Sequence, residues 1–97
     1  MKTWTDYKKH VKETNPEIGK DIDEMEAVAR IVGAMIERRH KLNLSQRDLA
    51  ELCGIPHSSV ARIESGKVIP NLNTLLKVFR YLDLNLVVEE SSNVYSL

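Results

Sequence analysis

The chain has 97 residues, 42% of them hydrophobic and 29% charged, and its 14 basic and 14 acidic side chains balance to zero net charge. That length builds one small domain around a single core, and no apolar run approaches the length needed to cross a bilayer. The single Cys53 excludes an internal disulfide, and His10, His40 and His57 add no metal-ligand spacing, so no metal or other cofactor is expected.

The opening segment "MKTWTDYKKH" lacks the apolar stretch of a signal peptide, and a reducing cytoplasm is the expected location. Zero net charge argues mildly against a nucleic-acid partner. Its distribution softens the objection: residues 31–70 carry six basic and four acidic side chains, a net +2 between flanks of −1 each.

In residues 1–20, Trp4, Tyr7 and Val11 fall at i, i+3, i+7, which allows a short amphipathic helix before Asn15-Pro16 interrupts it. A clear helix follows over 21–42, with acidic residues at its start and Arg38, Arg39 and Lys41 at its end, as the macrodipole favours. Val28, Ile31, Val32, Met35 and Ile36 make its apolar face. Met25, Ala27, Ala29 and Ala34 widen that face beyond what one partner surface covers.

Ser45 stands three residues before Asp48, a near capping box that starts a helix at Gln46. Leu49 and Leu52 are its expected buried side, and Gly54 ends it by accepting positive φ. Pro56 pre-sets φ for the first turn of a short helix with Val60 and Ile63 inward, ending before Gly66. Asn71 is a good N-cap, and Leu72, Leu75, Leu76, Phe79 and Leu82 then repeat at helical spacing. After Asp83 the period changes to two. Leu84, Leu86 and Val88 alternate with Asn85, Val87 and Glu89, which predicts a strand over 84–90. A lone strand needs a ladder from another chain, and a two-fold pair with a second copy is the economical supplier. Residues 91–97 are expected to be a flexible tail.

The central signal is 46–63, two short helices joined at Gly54. Ala50 sits where the second helix crosses the first, and Val60 and Ile63 lock that second helix to the body. This spacing leaves the front of the second helix protruding, the arrangement that enters a DNA major groove; a merely packing αα-corner is the competing reading. Catalytic readings are weaker. His57 has no nucleophile or orienting partner in reach and Cys53 is a small core residue, so no enzyme is expected.

The stretch 44–82 resembles the phage-repressor/Cro-like helix-turn-helix family, also called the XRE family. The resemblance rests on Leu44-Ser45-Gln46, Leu49-Ala50, Gly54, Val60, Ile63-Glu64, Gly66, Pro70 and Thr74-Leu75. It implies an all-α, five-helix lambda-repressor-like domain over 21–83 with its motif at 46–64, extended by an N-terminal arm over 1–20 and the dimerising strand. It also implies double-stranded operator DNA as partner. Gln46 would touch a phosphate and brace the reading helix, and Glu64 would satisfy backbone groups near the helix junction. His57, Ser58, Ser59 and Arg62 would face the groove, Ala61 a thymine methyl, and Lys67 a phosphate. Where many members of the family carry a polar cap, this chain has Pro56.

The chain is also similar to antitoxins of the HigA type, which neutralise RelE/HigB-like mRNA-cleaving toxins and repress their own operons as homodimers. That likeness implies a toxin-binding surface among Trp4, Tyr7, Ile22, Met25, Glu26 and Ala29, where the acidic cluster (Asp21, Asp23, Glu24, Glu26) would meet a basic toxin. A stand-alone Cro-like regulator shares the DNA site and differs only in the N-terminal third.

Overall fold

Asn15-Pro16 breaks one helix and begins the next. The Asn15 side chain accepts from the Ile18 N–H, and Pro16 takes the first helical position, where an N–H would have had no partner. The computed structural model describes residues 3–90, and among these the backbone forms five α-helices and no strand. They are α1 (Trp4–Thr14), α2 (Pro16–Lys41), α3 (Gln46–Cys53), α4 (His57–Glu64) and α5 (Leu72–Tyr81). α2 therefore starts at Pro16 instead of residue 21 and runs unbroken through the expected arm boundary. None of these helices is long and apolar enough to cross a membrane.

The wide apolar stripe of α2 is covered only in part, since Met25, Ala29 and Ala34 stay exposed. α1 packs on α2 with Val11 buried, and Lys8–Glu26 (2.8 Å) and Lys12–Asp23 (2.9 Å) ion pairs set an antiparallel register. A Cβ at Gly19 would stand 2.8 Å from the Lys12 Cα, so glycine is what allows the approach. Further along, Val32 and Met35 enter the main core with Leu49, Ala50 and Cys53 of α3, Val60 and Ile63 of α4, and Leu75, Val78 and Phe79 of α5. Met35, Leu49, Val60, Val78 and Leu82 are fully buried, each worth about 1.5–3 kcal/mol of apolar transfer. Leu52, expected inside, is 47% exposed, and Leu72 and Leu76 are likewise half out. On short helices the core takes only the central row of the stripe, which α3 fills with Leu49, Ala50 and Cys53.

Four helices end in the same way. Asn43, Gly54, Gly66 and Asp83 adopt left-handed φ of 56°, 67°, 80° and 57°. In each case the next residue's N–H returns to a carbonyl five positions back: Leu44 to Arg39, Ile55 to Ala50, Lys67 to Arg62 and Leu84 to Phe79. This is the Schellman terminator, which satisfies carbonyls the helix itself leaves open. Asn and Asp tolerate the left-handed region well enough to substitute for Gly at two of the four sites.

The last terminator corrects the expected strand. The Leu84 N–H is held 2.9 Å from the Phe79 carbonyl, and its side chain packs against the core, so Leu84 belongs to the end of α5. Residues 85–90 are exposed and irregular. Alternation alone cannot make a strand: every ladder bond needs a second strand, and the described residues offer none. The tail expected at 91–97 lies outside the described residues.

Candidate nucleic-acid interface

α3 begins with the expected capping box. The Ser45 Oγ accepts from the Asp48 N–H (2.9 Å), and the Asp48 carboxylate accepts from the Ser45 N–H (3.0 Å). The Ser45 backbone N–H, and then its hydroxyl, hold the Asp48 carboxyl below its ordinary value of 3.8. A depressed carboxylate stabilises the fold fully above that ordinary value, and the contribution is lost as pH falls through the lower folded one. Gly54 then turns the chain, and Ile55 packs on the core as the anchor of the terminator.

α4 starts at His57, with Pro56 (φ −58°, ψ 144°) outside it as a cap lacking a side-chain hydrogen bond. Pro56 thus sits one place earlier than the sequence suggests. Val60 and Ile63 fix the inner side of the helix. Ser58 and Arg62 are exposed on the outer side with Ala61 between them, half-buried; Ser59 is half-buried beside the core row. His57 leans back toward α3, its Nε2 3.5 Å from the Glu51 carboxylate. The Lys67 N–H is pinned to the Arg62 carbonyl (3.0 Å), which holds this exposed lysine directly behind the helix end.

A buried ionic knot fixes α4 against the rest. Arg39 is 8% exposed and grips Glu64 with two bonds: Nε donates to Oε2 (2.8 Å) and Nη2 to Oε1 (2.9 Å). Its Nη1 donates to the Leu44 carbonyl (2.8 Å), and Gln46 Nε2 donates to Glu64 Oε1 (2.9 Å). One cluster therefore joins the end of α2, the loop after it, the start of α3 and the end of α4. Glu64 serves side chains here, not the backbone groups expected of it. Gln46 braces the last turn of α4 with one amide hydrogen and keeps its second free.

Arg39 is the residue the sequence reading left out of the site. The signal was present: Arg39 follows Val32 and Met35 at i+7 and i+4, on the buried stripe, where an arginine requires a carboxylate partner. Cys53 is buried among apolar side chains, and this desolvation pushes its thiol up from 9.0, the opposite of what a nucleophile needs.

The six residues of the expected toxin surface do not gather on one face. Trp4 and Tyr7 stack on α1 with ring centroids 5.6 Å apart, half exposed. Glu26 is engaged by Lys8, between α1 and α2. Met25 and Ala29 line a groove beside the α4–α5 loop, and Ile22 stands one helical turn before Met25. The acidic cluster divides accordingly: Asp23 and Glu26 pair with α1, while Asp21 and Glu24 line the groove.

Comparison with known proteins matches residues 35–88 to a family model described as helix-turn-helix. A Haemophilus influenzae protein described as an uncharacterized HTH-type transcriptional regulator is 34% identical over 68 residues, which cover 70% of this chain and 69% of that protein. The HTH-type transcriptional regulator PuuR of Escherichia coli (strain K12) is 44% identical over 50 residues, 52% of this chain and 27% of PuuR. PuuR of Shigella flexneri gives the same figures, so the chain spans about a quarter of the length of these relatives. No solved structure matches.

The knot makes a thermodynamic prediction. Arg39→Leu leaves Glu64, whose side chain is 6% exposed, buried without its cation, and should cost about 3–5 kcal/mol. Urea unfolding should show a lower midpoint at unchanged slope. The double variant Arg39→Leu/Glu64→Leu should recover part of the loss, because no isolated charge is then left inside.

Proposed function

The chain belongs to the helix-turn-helix family, and on that premise we propose that it is a sequence-specific DNA-binding transcriptional repressor acting on a double-stranded operator through α4. The observation that carries this reading is the two-sidedness of α4. One side is fixed by Val60, Ile63 and the Glu64–Arg39 pair, while the other leaves Ser58 and Arg62 exposed with Lys67 held just behind.

Arg62 presents a planar fork suited to guanine O6 and N7. Ser58 and Ser59 offer hydroxyls to a base edge or a phosphate, and Ala61 a methyl contact. His57 reaches the DNA backbone beside Glu51, and Lys67 and the free Gln46 hydrogen hold phosphates. A duplex selected from a random pool supplies the test. Arg62→Ala should flatten discrimination among single-base variants by about 1–3 kcal/mol at the affected position. Lys67→Ala should weaken all duplexes alike and reduce the salt slope by about one. Unchanged discrimination in Arg62→Ala gel shifts would remove α4 from the reading role.

The repressor acts as a homodimer in this reading, paired through Leu86 and Val88 with Leu84 anchoring the segment to each core. Val87 and Val88 at 74% and 93% exposure support it, since such side chains in a row favour cover. Leu86→Asp/Val88→Asp should convert a dimer to a monomer by light scattering, because the contact would then bury carboxylates without partners. A dimeric mass in that variant would place the contact elsewhere.

The finer assignment is to an antitoxin that neutralises a RelE/HigB-like toxin and represses its own operon. The helical hairpin of α1 and α2 favours it over a stand-alone regulator, since α1 packs on α2 ahead of the helix-turn-helix and carries an exposed aromatic pair. Co-expression with the adjacent reading frame should yield a complex that Trp4→Ala/Tyr7→Ala weakens. Failure of the two proteins to co-purify would return the chain to the stand-alone class.

A further inference from the structure

The side of α2 turned away from α1 carries a groove of about 1060 Å³. Met25, Val28 and Ala29 on α2 face Val68 and Ile69 of the α4–α5 loop across it, and Met25 and Ile69 are 70% and 76% exposed. Its lining extends along α2 from Asp21 to Ile36, about 22 Å at helical rise. Every charged residue in the lining is acidic: Asp21, Glu24 and Glu64. Glu64 is committed to Arg39, whereas Asp21 and Glu24 have no ion-pair partner among the described residues. In a chain with as many cations as anions, a groove this long without a single Lys or Arg side chain has a definite electrical character.

We infer that this groove is a docking site for a cationic amphipathic helix of a partner protein. Charge complementarity selects the occupant. An apolar floor excludes nucleic acid, and free carboxylates at one end call for Lys or Arg at the matching end of the guest. The length suits about four helical turns with apolar anchors at i, i+3, i+4 and i+7. The far wall includes Ile63, Ser65 and Gly66, the last turn of α4 and its terminator. An occupant therefore bears on the elements that place Arg62 and Lys67, and it changes DNA affinity. That coupling rests on the reading of α4 given above; the docking itself does not.

The probe is a fluorescein-labelled amphipathic helical peptide of about four turns, leucine on one face and lysine on the other, titrated with the full chain. Its anisotropy should rise saturably, while the same peptide carrying glutamate in place of lysine should not bind. Asp21→Lys/Glu24→Lys should weaken binding by about tenfold or more, as reversal of two rim charges allows. Gly33→Leu should block it sterically: Gly33 lines the groove, and a Cβ there meets nothing within 4 Å, so the added side chain starts into open space. Lys9→Ala, exposed on α1 away from the groove, should have no effect.

Circular dichroism checks the fold of each variant, and both groove variants should still shift a selected duplex. Equal binding of the two peptides, no saturable binding of either, or indifference to both groove variants overturns the inference. So does a concentration-dependent self-association abolished by Asp21→Lys/Glu24→Lys, which would assign the groove to a second copy. Failure of the parent chain to shift any duplex overturns the repressor reading and leaves the peptide result standing.

Discussion

The Arg39–Glu64 pair is the constraint on which the rest of the arrangement depends. Apolar packing at Val60 and Ile63 holds a two-turn helix against the core but specifies its orientation weakly, because dispersion and hydrophobic burial have little direction. A bidentate guanidinium–carboxylate contact has direction. With Gln46 on the same carboxylate and the Leu44 carbonyl on the same guanidinium, the last turn of α4 is referenced to three other segments at once. Helix orientation is the quantity that matters for reading a groove, since a shift of about one ångström at a positioned group is costly. The net stability of such a buried pair against an apolar replacement is small or negative, so directional control is the better physical account of its presence.

The repeated helix terminators supply a second level of control. Three of the four place an apolar residue in or against the core immediately after the left-handed position: Leu44, Ile55 and Leu84. The fourth places Lys67 there, with its side chain exposed. The same backbone device thus anchors the chain three times and, behind α4, aims a cation outward. Gly66 and the Arg62 carbonyl fix where Lys67 starts, and the flexible stem of lysine does the rest, an arrangement suited to a phosphate more than to a base edge.

What the sequence disclosed follows the range of the interactions involved. Ser45 with Asp48, Gly54, Gly66 and Asn71 act over three or four residues, and each performs in the structure the capping or turning role its neighbours imply. Asn15-Pro16 was ambiguous because the same pair stops one helix and starts another. Asn43 and Asp83 were hidden because their left-handed φ is a tolerated conformation of common residues, visible only once the flanking hydrogen bonds are known. The Arg39 partner lies twenty-five positions away, beyond any periodicity. Leu52 and the 84–90 alternation misled for a common reason: apolarity states that a side chain favours cover, not that this chain provides it. Within the candidate interface, Ser58, Arg62, Lys67 and the bracing Gln46 followed from the family resemblance, whereas the Arg39–Glu64 pair that completes the brace did not.

α2 joins the hairpin, the groove and the helix-turn-helix. Its last turns contribute Met35 and Arg39 to the DNA-binding core, and its first turns hold α1 through Gly19, Asp23 and Glu26. One continuous helix therefore connects the α1 hairpin to the residue that orients α4. Asp21 and Met25 at one end and Arg39 at the other are therefore carried on a single element. The groove that faces α4 directly offers the shorter route between the same two places. Among the described residues, the groove and the brace of α4 are both built on the same helix.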